Sequence, residues 1–247
     1  MISIKNKTQL EGIRQSCKML SSVMATLRGA VAPGISTAEL DELARREIAS
    51  LGGKPAFLGY MDFPAAICSS VNEVVIHGIP NDKPLKEGDI VSIDCGIDYN
   101  GFFSDAAITV PVGKVSPEVG KLLAVTEESL YRGIDAAKPG GRINDISRAI
   151  YTHAKKHGLG VVREFCGHGV GLAPHEEPQV PNYVGRGPNP KLIPGMVLAI
   201  EPMFTLGSDY VKVLGDGWSV VPLDNSLSAH FEHTIAVLED SIEILTM

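Results

Sequence analysis

Apolar positions along the first thirty residues recur at helical spacing. Leu10, Ile13, Cys17, Leu20, Met24 and Leu27 form one stripe, which predicts a helix from about Lys7 to Arg28. Ala32-Pro33-Gly34 breaks it. Ser36 or Thr37 then reads as an N-cap, with Glu39 placed for a capping box, and opens a second helix that runs to Ser50 and stops at Gly52-Gly53. Phe57 to Asn72 is turn-rich and then extended. The second half repeats the pattern. Val119 to Ala137 is helical, Lys138-Pro139-Gly140 breaks it, and Ile143 to Lys156 is a further helix ending at Gly158. Pro33 and Pro139, Gly34 and Gly140, Leu40 and Ile146, and Gly52 and Gly158 match at one constant offset. The pattern predicts an α+β fold of two similar halves, each two helices followed by strands. With no flexible linker between them, residues 1–247 read as one domain, divided at about residue 110.

The strand pattern carries the charge anomaly. Asp89 to Gly96 alternates like a strand, Asn100-Gly101 is a hairpin signal, and the chain returns from Phe102 to Val110. A two-residue loop pairs Gly96 with Asp105, and a four-residue loop pairs Asp94 with Asp105. Either register puts both carboxylates on one face, about 5–8 Å apart. Facing a buried surface, they need a shared proton, a basic partner or a metal, and no Lys or Arg lies between Gly88 and Pro111. Taken alone, the hairpin is also compatible with one Asp capping the turn or facing water.

Three more residues join them. His168 stands between Gly167 and Gly169, where missing side chains let something approach the backbone closely. A phosphate-binding loop is excluded there, because no Gly-Lys-Ser/Thr follows and Leu172 occupies a required glycine position. Glu201 ends the apolar run Met196–Ile200 and precedes Pro202. Glu232 lies in the strand Ala229–Leu238, on the face of Thr234 and Ala236. Individually, each Glu reads first as half of a structural ion pair. Together, four carboxylates and a neutral imidazole balance two divalent cations, which in a dinuclear site lie roughly 3.5–4 Å apart. Oxygen-rich ligation favours Mn, Fe(II) or Co, and leaves Zn open.

Composition narrows the function classes. Apolar residues make up 44% and charged residues 21% of the chain, enough for a core and too few charges for disorder. A formal charge of -7 speaks against a nucleic-acid surface or an anionic membrane as partner. The four cysteines are scattered without a CxxC pair. Neither a signal peptide nor a membrane span is visible, so a cytoplasmic location is expected.

The order of these motifs resembles the type I methionine aminopeptidases of the pita-bread metallopeptidase fold. The resemblance rests on Ser70–Pro80, the Asp94–Asp105 hairpin, Gly167–Gly171 through His175-Glu176-Glu177-Pro178, Ala199–Met203 and His230–Thr234. It implies a curved antiparallel sheet between two pseudo-symmetric halves. It also implies hydrolytic removal of initiator methionine ahead of a small second residue, by metal-activated hydroxide attack on the first peptide bond. In that family Asp94 would chelate one metal, Asp105 and Glu232 would bridge two, and His168 and Glu201 would complete the other. Glu201 would also shuttle the proton. His77 and His175 would contact the scissile peptide, and Tyr60, Phe63, Cys68 and Trp218 would form the methionine pocket.

The implied partners are N-terminal Met peptides and nascent polypeptides at the ribosome, and the implied state is a monomer. Pro174 and Gly96 depart from common family residues beside the pocket and the ligands, and Phe57 occupies a variable pocket position. The rival within the fold is an X-Pro aminopeptidase or prolidase. A rival of another class is a non-catalytic peptide-binding relative, which would be expected to lose ligands. Because Ile2 is bulky, the chain should keep its own Met1 in cells. Intact-mass measurement checks this, and a mass short by one methionine contradicts it.

Overall fold

The computed structural model describes residues 1–247. The expected helices form with the expected stops. Helix α1 spans Lys7–Ala30 and α2 spans Thr37–Ser50, the latter capped by Ser36 with Glu39 closing the capping box. In the second half α3 spans Pro117–Ala136 and α4 spans Ile143–Lys156. Helix α3 begins two residues before the apolar pattern does, because Ser116 caps it and Pro117 fits the first turn. The matched breakers Gly34 and Gly140, and Gly52 and Gly158, all adopt positive φ between 76° and 100°. Only glycine tolerates that conformation cheaply, so the two halves end their helices by the same device.

The strands are β1 (Lys54–Pro55), β2 (Ile67–Val71), β3 (Ile90–Tyr99), β4 (Phe102–Pro111), β5 (Gly160–Val161), β6 (Gly167–Gly169) and β7 (Glu176–Val180). They continue with β8 (Val197–Ile200), β9 (Met203–Thr205), β10 (Val211–Val213), β11 (Val220–Pro222), β12 (Ser228–His230), β13 (Glu232–Val237) and β14 (Ile242–Ile244). The main sheet runs β1-β3-β4-β13-β8-β6-β7, with β2 added to β3 and β14 to β13. Every pairing in it is antiparallel. The halves meet where β4 pairs β13. Small sheets β12-β9-β5 and β10-β11 complete the chain.

Alternation splits the main sheet into an apolar face and a polar one. Val91, Ile93, Cys95 and Ile97 of β3 pack under α1 and α2. Leu198, Ile200, Ile235 and Val237 pack under α3 and α4. Cys95 lies opposite Ala106, and Ala106 opposite His233, so both helix pairs cover the same side. Leu10, Ile13 and Cys17 of α1 close one end against Val170, Val197 and Ala236. No helix is long and apolar enough to cross a membrane.

One buried acid ties the helices to this frame. Asp41 of α2 accepts hydrogen bonds from the amides of Ala66 (2.7 Å) and Ile67 (3.1 Å), and Arg45 pairs its other oxygen at 2.6 Å. It anchors the start of β2, which carries Cys68. Asp41→Ala would leave two buried amides unpaired, at a cost of about 3 kcal/mol. A lowered urea midpoint with unchanged m-value checks this, and Asp41→Asn should recover part of the loss by keeping the acceptor.

Candidate metal centre and substrate cavity

The register alone gathers the five predicted ligands. Asn100 (φ 55°) and Gly101 (φ 81°) form the two-residue turn, so Gly96 faces Asp105 and Asp94 faces Ala107. Asp94 and Asp105 are therefore diagonal neighbours on one face. Ala107 faces Glu232 across the β4–β13 seam. Two residues along, Thr234 faces Ala199 of β8, and Ala199 faces His168 of β6. Glu201 follows Ala199 by two positions on that same side. Five residues from five places in the chain thus share the face opposite the helices.

Local chemistry fixes each one. Gly167 and Gly169 are needed because a Cβ at either would lie 2.4 Å from a neighbouring strand's carbonyl, that of Ala199 or of Glu177. The close approach expected from the sequence is thus made by adjacent backbone. His168 Nδ1 lies 2.9 Å from the carbonyl of Gly169, an acceptor only. Nδ1 therefore carries a proton, which turns Nε2 toward Asp105 Oδ2 (3.8 Å) and Glu201 Oε1 (3.6 Å). Asn182, fully buried, donates to the carbonyl of Glu201 at 3.0 Å.

Ligand atoms of Asp105, His168 and Glu232 lie within 4.8 Å of one another. Asp94 and Glu201 line the same cavity. One carboxylate oxygen each of Asp94, Asp105 and Glu232 is buried without a hydrogen-bond partner. Lone pairs converging on lone pairs, with orphaned anionic oxygens, are stable only around protons or cations. Burial raises Asp94 to about 6, with His230 opposing the rise. Burial, then repulsion from Asp94 and Glu201, pushes Asp105 well up. Burial, then Asp105 and Glu201, does the same to Glu232. Burial alone would also raise Glu201, but His230, 3.3 Å from its Oε2, and the neighbouring His168 and His175 hold it below the usual range.

The donor set fits divalent cations. It offers carboxylate and imidazole and no thiolate, since burial followed by repulsion from Asp94 pushes the Cys68 thiol well up.

A cavity of about 420 Å³ opens over these residues. His77, His175, Tyr60, Phe63, Cys68 and Trp218 all line it, and Phe57 joins them. His175 is exposed toward the opening and stacks 5.3 Å from Tyr60, whose hydroxyl meets its Nδ1 at 3.1 Å. The His175 ring lies 4.3 Å from that of His168. Trp218 meets Phe63 edge-on at 5.0 Å and His77 at 6.2 Å. His77 has a φ of 58°, rare for a residue with a Cβ. It is held there because Gly78 lies against β2, where a Cβ would come 2.4 Å from the Ser69 carbonyl. Gly96 is crowded by a side chain rather than by backbone, since a Cβ would come 2.9 Å from the Phe57 ring.

Sequence reading missed several participants. Phe165, Cys166 and Gln179 also line the cavity, and Phe165 packs edge-on to His77 at 5.6 Å. His230 is buried, with Nε2 3.3 Å from Glu201 Oε2. Its position two residues before Glu232 was the available signal, since alternation puts both on one face. Lys5 and Glu176 form a buried pair at 2.6 Å. The other oxygen of Glu176 accepts from the amides of Leu172 and Ala173, bracing the loop that presents His175.

The chain matches metallopeptidase family M24 over residues 11–239. It is 53% identical over 247 residues to a methionine aminopeptidase of Treponema pallidum, covering 100% of this chain and 96% of that one. It is 50% identical over 246 residues to methionine aminopeptidase 1 of Bacillus subtilis, covering 100% and 99%. The structure superimposes on a methionine aminopeptidase from Rickettsia prowazekii with a TM-score of 0.97 and 39% identity, each chain covered in full. A prolidase from Pyrococcus furiosus gives a TM-score of 0.81 at 25% identity, with only 65% of that longer chain covered. The chain belongs to metallopeptidase family M24 and, within it, to the methionine aminopeptidases. It is a metal-dependent hydrolase with the pita-bread fold.

A carboxyl whose folded-state pKa is raised stabilises the metal-free fold below its unfolded value, and that contribution is lost as pH rises through the folded value. For Asp94 the window runs from about 4 to about 6. Metal requires the ionised forms, so its binding near pH 6 should release protons and its thermal stabilisation should grow from pH 5 to 7. Calorimetry in buffers of different ionisation enthalpy checks this, and binding without proton release contradicts it.

Proposed function

We infer that the chain removes the N-terminal methionine of peptides by hydrolysing the first peptide bond. The observation that carries this reading is the convergence of Asp94, Asp105, His168, Glu201 and Glu232 on one sheet face beneath an aromatic- and sulfur-lined cavity. Four carboxylates and an imidazole balance two divalent cations, which Asp94, Asp105, His168, Glu201 and Glu232 would hold. Such cations polarise the scissile carbonyl and acidify water near neutral pH.

The chain's own side chains supply the rest. Glu201, held ionised by His230, takes a proton and delivers it to the leaving amine. With the Tyr60 hydroxyl donating to Nδ1, His175 keeps its proton on Nε2 and can donate to the peptide carbonyl oxygen. His77 flanks the peptide from the aromatic wall. Tyr60, Phe63, Cys68 and Trp218 take up the methionine thioether, which gains from aromatic and sulfur contacts. We assign the whole chain, residues 1–247, to one catalytic domain acting as a monomer in the cytoplasm. Its substrates are nascent polypeptides emerging from the ribosome, with no direct nucleic-acid or membrane partner. Mn, Fe(II), Co and Zn are all compatible with the donor set.

Glu201→Ala, reconstituted with Mn or Co, should cut Met-Ala-Ser at least about 100-fold more slowly. Comparable rates for variant and wild type would refute the proton-transfer role. Wild-type protein should prefer Met-Ala-Ser to an X-Pro peptide. The reverse preference would favour the prolidase reading, and binding without cleavage the non-catalytic one.

A further inference from the structure

The two halves of the sheet are joined by surprisingly little regular pairing. Between β4 and β13 only Ala107–Glu232 and Ala106–His233 pair through the ladder. On either side of that short contact a threonine hydroxyl takes over. Thr234 Oγ1 accepts from the Asp105 amide at 3.3 Å and donates to the Asp105 carbonyl at 2.7 Å. Thr109 Oγ1 accepts from the His230 amide at 2.8 Å and donates to the His230 carbonyl at 2.7 Å. In each case one side-chain oxygen satisfies both backbone groups of the facing residue, which the opposite strand would otherwise satisfy.

The arrangement is symmetric. A local two-fold axis through the Ala107–Glu232 pair exchanges Thr109 with Thr234, each two residues beyond it. It also exchanges Asp105 with His230, each two residues before it. Both threonines are buried, at 2% and 0% exposure, so neither hydroxyl has water as an alternative partner. Each clamped residue then reaches the site. Asp105 is one of the proposed ligands, and His230 places Nε2 3.3 Å from Glu201 Oε2. Both clamps are tied back to the frame: the Thr109 hydroxyl meets that of Ser92 at 2.8 Å, and the Thr234 amide donates to Thr246 Oγ1 at 3.1 Å.

We propose that Thr109 and Thr234 are paired positioning residues that set the separation of the two half-sites, Thr234 by fixing Asp105 against Glu232, and Thr109 by fixing His230 against Glu201. The proposal rests on the metal-centre reading above. The seam is pinched at Ala107–Glu232 and spanned by a hydroxyl on each side, so the ligands from the two halves meet at a spacing that ordinary ladder pairing would not hold. Thr234 governs cation affinity. Thr109 governs turnover through the orientation of Glu201.

The test compares Thr234→Val and Thr109→Val, which keep shape and lose the hydroxyl, with Thr234→Ser and Thr109→Ser, which keep it. Three readouts are needed: amide hydrogen exchange at Asp105 and His230 in metal-free protein, Mn(II) affinity by calorimetry, and kcat and KM on Met-Ala-Ser. Thr234→Val should expose the Asp105 amide to exchange and weaken Mn(II) binding roughly 10–100-fold. Thr109→Val should expose the His230 amide and lower kcat with KM and Mn(II) affinity little changed. Each Ser variant should return toward wild type in its own readout. If either Val variant fails to fold, Ala against Ser at that position gives the same contrast.

Val or Ala variants that match their Ser counterparts in Mn(II) affinity and kcat, beside a wild type that binds Mn(II), would overturn the clamps and leave the metal centre standing. A wild type that binds no divalent cation would overturn the metal centre, and the proposal with it.

Discussion

Repulsion among four carboxylates drawn out of water is the constraint on which this molecule turns. Desolvation raises Asp94, Asp105 and Glu232 together and mutual repulsion adds to it, with His230 offsetting only part of the rise at Asp94. His168 turns Nε2 toward Asp105 and Glu201, because its Nδ1 is committed to the Gly169 carbonyl. A packed core would not keep such a cluster without a use for it. The cluster costs stability in the metal-free state and returns it as cation affinity, which couples folding, metal and pH.

The sheet makes the cluster possible. Helix pairs from both halves cover one face with apolar side chains, so the opposite face can be polar and concave. Register then delivers ligands from β3, β4, β6 and β13, and from the residue after β8, without a long loop. Rigid strands hold a constellation more accurately than loops can. The less regular parts lie around the cavity instead. His77 sits at positive φ, and His175 stands on a loop braced by the buried Lys5–Glu176 pair. In the proposed reading, chemistry is thus placed on strands and recognition on the rim.

Much of this was legible in the sequence for identifiable reasons. Helix boundaries followed from caps and glycines whose effects are local, as Ser36 with Glu39 and Gly158 show. The Asn100-Gly101 turn left two hairpin registers open, but period-two alternation put Asp94 and Asp105 on one face in either, and the structure takes the two-residue turn. His230 was not found, because a histidine in an alternating strand reads as core until its carboxylate partner arrives from β8. The threonine clamps were invisible for the same reason, since each acts on backbone more than a hundred residues away. Asp41 likewise reads as an ordinary helix acid until β2 brings its amides. Local codes were readable; pairings that exist only after the sheet closes were not.

The central claim is that five side chains from both halves form one two-cation centre. Anomalous X-ray diffraction from crystals of the Mn(II)-loaded protein tests it most directly. The account predicts two Mn peaks, roughly 3.5–4 Å apart, between Asp105 and Glu232, with Asp94 on one and His168 and Glu201 on the other. Mn bound elsewhere, or no peak on this face of the sheet in metal-saturated crystals, would contradict it.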